Sequence, residues 1–512
     1  MPSGLDPRLP VLVGVGQVTV RAERGDEVLE PAALMAEGLR RAEEDSGGRG
    51  LLAAVGSLRT ISELSWPYRN PALAVAERLG VMPPHLASTV VGGNLVGVTV
   101  ARAAAQIQAG ELDVVAVCGG EAARSRSRLR AEGREPAWTV QPDDVPEPER
   151  IGLDRPLVSA LEVERGVRLP VHVYPLFEVA LRARLGLGVD DHRRRLGRLW
   201  SAFSEVAATN PEAWLREALT PEAITTPTDA NRMISFPYTK RLCSNNQVDQ
   251  GSGLLLCSVA AAERAGVPRD RWVFLHAGTE AVDHWHVSER ADLCSSPALR
   301  LAGRDAYALA GTGPDEIAHV DLYSCFPVAV QIGAMELGLA PADPAADGTG
   351  WGGVGADRPL TVTGGMTFAG GPLNDYTSHG LATMAGVLRE DAGSLGLCTA
   401  NGGYTTEHAV VILSTDPPRA GAYRHAEPQA EVDALPRVEL DDRWVGEVAV
   451  ESATVPHDRT GPTHVLLAAR TPNGDRTWCS STDPALIALA QTEELVGRAA
   501  RRAADATVEL TS

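Results

Sequence analysis

Sulfur is the most reactive side-chain chemistry this sequence offers. Seven cysteines stand at positions 118, 243, 257, 294, 325, 398 and 479. Their number is odd, their spacing wide, and no CxxC or Cys/His metal pattern occurs, which argues against a disulfide framework and against bound metal. Cys325 beside Phe326 and Cys398 in an apolar stretch read as packed thiols, because a nucleophilic cysteine needs a lowered pKa. A phenol and an imidazole add proton chemistry: Tyr323 in Tyr323-Ser324-Cys325-Phe326, and His379 closing Asn374-Asp375-Tyr376-Thr377-Ser378-His379. For an anionic ligand there are Arg124, Arg126, Arg128 and Arg130, and a second group at Arg193, Arg194, Arg195 and Arg198. Guanidinium clusters suit phosphates, but the helical spacing of the second group equally fits a solvated face. The GVGQ stretch at Gly14–Gln17 lacks the third glycine of a dinucleotide fingerprint.

The elements that position these groups recur. Residues 10–20 read as a strand feeding a helix at 32–42. Thr89-Val90-Val91-Gly92-Gly93 opens a unit that runs through an alanine-rich helix at 98–108 to a strand at 112–120. Thr361-Val362-Thr363-Gly364-Gly365 opens a second, running through a helix at 382–388 to the stretch 396–403. Strand, glycine turn, helix and strand in the same order predict a duplicated α/β fold whose turns converge on one site. Residues 121–240 change texture, with proline-rich loops at 135–157 and a charged helix at 190–208, and read as an inserted loop domain. Past Asp416-Pro417-Pro418, alternating segments joined by Pro472-Asn473-Gly474-Asp475 predict a small antiparallel β-barrel, followed by an amphipathic helix at 484–503. The expected divisions are 1–120, 121–240, 241–416 and 417–512.

With 512 residues and 44% hydrophobic composition the chain can bury several cores. A formal net charge of -19 opposes nucleic-acid binding, and no apolar run approaches the roughly 20 residues of a membrane span. A soluble cytoplasmic protein is expected.

Five landmarks fall in order: Ala109-Gly110-Glu111-Leu112-Asp113-Val114-Val115 through Gly119-Gly120-Glu121; Cys243-Ser244-Asn245-Asn246-Gln247-Val248-Asp249-Gln250-Gly251; Tyr323-Ser324-Cys325-Phe326; Gly370-Gly371-Pro372; and Cys398-Thr399-Ala400. They resemble, in turn, the AGxxDVVxxGGxES strand, the GNxSGxxDG turn before a small-residue helix, the NEAF or HDCF motif, the GHP motif and the CxG motif of the thiolase superfamily. Over residues 8–416 the chain resembles that superfamily, and within it the thiolase-like proteins of type 1. The resemblance implies a thiolase fold of two duplicated halves with an inserted loop domain, and a coenzyme A thioester as substrate or ligand with no other cofactor required.

Thiolases use a cysteine at a helix N-terminus as nucleophile, a histidine to activate it and a second cysteine to move a proton. By resemblance the nucleophile falls near Gly93, and because the first cysteine in the chain is Cys118, no shift of register supplies a sulfur there. The backbone N–H groups of Gly93 and Asn94 could still hold a carbonyl oxygen or an anion. The GHP histidine is Gly371, leaving His379 as the nearest alternative base. Tyr323 replaces the NEAF asparagine and could shuttle a proton if its pKa were lowered. The steroid side-chain aldolases carry a tyrosine in this motif, need no cysteine and recruit a separate β-barrel, although their neighbouring acid is Ser324 here. Cys398 keeps its place, with Ala400 narrowing the space beside it. Asn374 and Asn401 complete a polar lining, and Arg124, Arg126 and Arg128 are candidates for the phosphates of coenzyme A.

Three readings follow. The chain binds an acyl-CoA-type thioester without standard thiolase turnover. Or it is a repurposed enzyme, a retro-aldol lyase or an acyltransferase or hydrolase, using Tyr323, His379 or Cys398. Or it is a non-catalytic scaffold whose C-terminal domain meets a protein partner. As a monomer or homodimer, it is expected to engage neither nucleic acid nor membrane.

Overall fold

A computed structural model describes residues 4–21, 28–340 and 359–511. The strands of the body are β1 (Pro10–Thr19), β2 (Ser57–Thr60), β3 (His85–Thr89), β4 (Val114–Ala122), β5 (Glu149–Ile151), β6 (Met233–Ser235), β7 (Tyr238–Thr239), β8 (Asp249–Ser258), β9 (Val273–Val282), β10 (Ile317–Asp321), β11 (Leu395–Gly402), β12 (Glu407–Ser414) and β13 (Arg424–Ala426). Apart from the β6–β7 ribbon they pair in the order β10-β11-β12-β9-β1-β8-β4-β2-β3-β5, with β13 alongside β9.

The pairing pattern occurs twice. β2 and β4 are parallel while β4–β8 and β8–β1 are antiparallel; β10 and β11 are parallel while β11–β12 and β12–β9 are antiparallel. The halves meet where β1 pairs with β9 at Val11 and Leu12. In the first copy the Thr-Val-Gly-Gly stretch follows strand β3. In the second, residues 361–363 form no strand, because Thr361 and Val362 donate their hydrogen bonds to the Asp321 carboxylate.

Strands β4, β8, β11 and β12 are buried at every position, as expected of a sheet covered on both faces. The helices Leu95–Ala109 and Tyr376–Glu390 each pack on strands of both halves and are buried around most of their circumference. Close approach demands small residues. A Cβ on Gly97 would lie 2.8 Å from Ala409 Cβ and 3.1 Å from Ala400 Cβ, which accounts for the alanine at 400. The N-termini of these two helices are where Asn94 and Asp375 stand.

Directly after the 243–251 turn, where the resemblance implies a small-residue helix, Asp249–Ser258 is instead the central strand β8. Its glycines serve packing: a Cβ on Gly251 would lie 2.7 Å from Leu34 Cβ on the helix Pro31–Ser46. The segment 121–240 carries the helices Pro170–Arg184 and Val189–Thr209.

The C-terminal strands β14 (Gly446–Thr454), β15 (Val465–Arg470), β16 (Arg476–Ser481), β17 (Ala499–Arg502) and β18 (Val508–Leu510) form a separate antiparallel sheet in the order β16-β15-β14-β17-β18. One bridge, Ser480 to Thr507, links its outer strands, so the sheet curls without the continuous ladder of a closed barrel. The turn at 472–475 joins β15 to β16, with Gly474 left-handed at φ 91°. The helix expected at 484–503 stops at Ala490, and β17 follows, pairing with β14. No helix among the described residues is long and apolar enough to cross a membrane.

Candidate functional site

After β3, the N–H of Val90 donates to Ile151 O and the chain turns through Gly92 and Gly93 into the helix Leu95–Ala109. Glycine at 93 is a packing requirement. A Cβ there would lie 2.5 Å from Asn401 O and still closer to the Tyr323 hydroxyl, well inside contact distance. Tyr323 reaches this point from the end of β10. Its N–H donates to Thr399 Oγ1 at 2.8 Å, and its ring meets Tyr376 edge-on at 5.5 Å. Burial, with the nearby Cys325 adding to it, pushes the phenol pKa up, not down as a proton shuttle needs, so Tyr323 is a neutral hydrogen-bond donor.

Asn401 stands at the same turn. Its Nδ2 donates to Tyr174 Oη at 3.1 Å and lies 3.9 Å from Cys325 Sγ, so the thiol that the sequence assigned to packing borders the candidate site. Burial raises the Cys325 thiol to about 12, which favours the neutral thiol. Gly371 has more room: its Cβ would meet Asn246 Oδ1 at 3.1 Å, and its N–H donates to Asn245 O at 3.0 Å. Three buried amide oxygens here, Asn94 Oδ1, Asn246 Oδ1 and Asn401 Oδ1, accept no hydrogen bond. Buried acceptors left this way call for a donor from a ligand or solvent.

The remaining sequence candidates separate. Asn374 Nδ2 donates to Ser62 O at 2.8 Å, a loop-to-loop tie. His379 Nδ1 pairs with Gln17 Oε1 at 2.8 Å, and Nε2 sits 3.6 Å from Asp375 Oδ2. Burial lowers His379 to about 4, leaving a neutral imidazole of weak basicity at pH 7. Cys398 is buried in β11 among Leu381, Met384 and Val411, its thiol pushed well up by burial and then by Asp321. Strand alternation puts Thr399, not Cys398, on the Tyr323 side.

The arginines are partly committed. Arg124 lies over the Trp214 ring at 5.3 Å with Arg21 over the same ring at 5.5 Å, Arg126 donates to Leu64 O at 3.4 Å, and Arg128 neighbours Asp249. Arg193 is paired with Asp190 at 3.2 Å and Arg194 with Asp191, the solvated-face arrangement.

Two acidic features were not singled out from the sequence. Glu63, Glu121 and Asp375 lie near one another; burial raises them to about 8, 7 and 7, and Glu121 adds to the rise at Glu63 and Asp375. Glu407, opposite Gly402 in the β11–β12 ladder, is raised by burial to about 7 with Asn94 drawing it back. Nothing marks it in the sequence, because its neighbours become neighbours only through strand pairing. Among the described residues Glu280, His425 and Glu427 bring ligand atoms within 4.8 Å of one another, but Glu280 already holds Arg102 through two hydrogen bonds of 2.8 and 3.0 Å.

Fold and site together define a protein of the thiolase-like α/β class with an added C-terminal sheet. Residues 279–415 match the thiolase C-terminal domain-like family, and residues 427–507 match the thiolase-like protein type 1 additional C-terminal domain. A monomeric SCP2-thiolase-like protein type 1 from Mycobacterium smegmatis is 30% identical over 99% of this chain and all of its own, with a TM-score of 0.80. The chain belongs to the SCP2-thiolase-like protein type 1 family. The Ltp2–ChsH2(DUF35) aldolase (22% identity, 80% of this chain and 98% of its own, TM-score 0.60) and human mitochondrial 3-ketoacyl-CoA thiolase (16%, 80% and 100%, TM-score 0.53) share the fold.

Proposed function

We propose that the chain binds an acyl-CoA-type thioester at the Gly93–Tyr323 turn and does not run cysteine-dependent thiolase exchange there. One observation carries this reading: the Tyr323 hydroxyl and the Asn401 carbonyl fill the volume that a nucleophilic side chain at 93 would occupy. The unpartnered amide oxygens of Asn246 and Asn401 support a polar ligand at the turn. Arg21 and Arg124, flanking Trp214, supply local positive charge for its phosphates on an otherwise acidic protein. No other cofactor enters the reading.

A second reading is favoured by Tyr323 itself. A neutral phenol can donate a hydrogen bond to a developing alkoxide or enolate oxygen, the requirement of a retro-aldol cleavage that forms no bond to the enzyme. The Ltp2–ChsH2(DUF35) structure is named as an aldolase with a separate partner; here the C-terminal sheet stands in the same chain.

Incubation with a panel of acyl-CoAs and β-hydroxyacyl-CoAs, with binding followed by calorimetry and products by mass spectrometry, tests both. Binding without turnover supports the first reading. Carbon–carbon cleavage that Tyr323→Phe abolishes and Cys398→Ala leaves intact supports the second. Failure to bind any CoA thioester removes both and leaves a scaffold.

A further inference from the structure

A cavity of about 370 Å³ lies beside Asn94 and Glu407, and Tyr323 does not line it. Its occupancy is therefore separable from thioester binding at the tyrosine hydroxyl. Asn94 and Glu407 are each only 4% exposed. They converge on Gly402, where a Cβ would collide with Asn94 Oδ1 and lie 2.9 Å from Glu407 Oε2. Asn94 Oδ1 accepts no hydrogen bond, and Asn94 is the one side chain that draws the Glu407 carboxyl toward ionisation. The floor of the cavity thus carries one acceptor without a partner, Asn94 Oδ1, beside a buried carboxyl whose side-chain donor is Asn94.

The guanidiniums around them are held by other partners. Arg102 is held on Glu280, Arg155 lies over the Trp285 ring at 4.8 Å, and Arg437 sits 3.6 Å from Glu289. Carboxyls outnumber guanidiniums in the lining five to three, so an anion is disfavoured. A bare metal ion is a poor fit as well, since it needs more oxygen ligands than two and far less space. Leu95, Val98 and Leu153 give the cavity an apolar wall.

We infer that this cavity binds a small organic cation, an alkylamine or alkylguanidine whose charged head sits between Glu407 and Asn94 and whose chain lies along Leu95, Val98 and Leu153. The ammonium or guanidinium supplies the N–H donor that Asn94 Oδ1 lacks and adds others to the Glu407 carboxylate, whose charge it offsets.

Calorimetric titration of the full chain with putrescine and agmatine, beside butane-1,4-diol and butyrate as neutral and anionic controls of similar length, tests the assignment. The expected result is amine binding without diol or butyrate binding, weakened roughly tenfold or more by the near-isosteric Glu407→Gln. Leu153, 58% exposed, offers a second variant free of any folding role. Leu153→Trp fills the mouth and is expected to weaken amine binding while leaving the melting temperature unchanged; it decides the matter if Glu407→Gln does not fold. Amine affinity unchanged in a folded Glu407→Gln or in Leu153→Trp, equal binding of the diol or butyrate, or no amine binding at millimolar concentration would overturn it.

Discussion

The hydroxyl of Tyr323 stands in the space that a side chain at Gly93 would need, and the carbonyl of Asn401 closes the other side. The two positions therefore constrain one another: a cysteine at 93 and a tyrosine at 323 cannot both be accommodated without movement.

Restoring the sulfur alone should fail. Gly93→Cys forces the Tyr323 ring or the β11 end to shift and is expected to cost about 1–3 kcal/mol, in the range of overpacked cores. Adding Tyr323→Asn to Gly93→Cys removes the collision with the hydroxyl and leaves the one with Asn401 O, so the double variant should lose less stability than the sum of the single losses. Thermal melts of the four proteins give the coupling directly; additive losses would refute the steric relationship.

The C-terminal sheet is anchored by a buried cation. Arg476 is fully buried, pairs with Glu451 at 2.6 and 2.7 Å, and donates to the carbonyls of Val287, Ser288 and Arg290 at 2.9, 3.0 and 2.8 Å. Arg476→Met leaves the carboxylate and three carbonyls without that donor. A loss of about 3–5 kcal/mol is expected, with limited proteolysis releasing the C-terminal segment first.

Acid and base act on stability through Glu63. Its folded pKa of about 8 lies above the ordinary 4.5, chiefly through burial, with Glu121 adding to it and Arg150 opposing it; Asp375 lies beyond Glu121. Below pH 4.5 both folded and unfolded forms hold the proton and the group is neutral in the balance. Between pH 4.5 and 8 the unfolded chain releases it first, so folding weakens as pH rises, and above 8 the loss is complete. Glu63→Gln should accordingly stabilise the protein at pH 8.5, by on the order of 1–3 kcal/mol, and have little effect at pH 5. Urea unfolding at the two pH values checks this; a gain of the same size at both would contradict it.

His379 runs the other way. Burial lowers it to about 4 from 6.5, so the unfolded chain gains a proton that the folded one refuses, and stability falls as pH drops from 6.5 toward 4. His379→Gln should flatten that acid limb in thermal melts. A variant that instead removed a catalytic pKa from a turnover profile would return the residue to the site.

Local pattern carried the architecture in the sequence. The α/β alternation, the hairpin turn at 472–475 and a distinct C-terminal sheet follow from periodicities and turn residues that lie within a few positions of one another. It failed where one short pattern serves two structures. Small residues suit both a helix packed closely and a strand beneath one, as in the glycine-rich β8, and the apolar pattern past 484 runs on through β17 although the helix ends at Ala490 and β17 pairs with β14.

For the site, the sequence by itself determined that no cysteine precedes position 118, so no thiol stands near Gly93, and that a tyrosine stands at 323. Tertiary structure decided what those facts mean. It set the Tyr323 hydroxyl against Gly93, buried Cys398 and His379, and brought Asn94 at a helix N-terminus to Glu407 on β12. Such contacts join residues far apart in the chain, and a pKa depends on the burial those contacts create, so neither is written in local order.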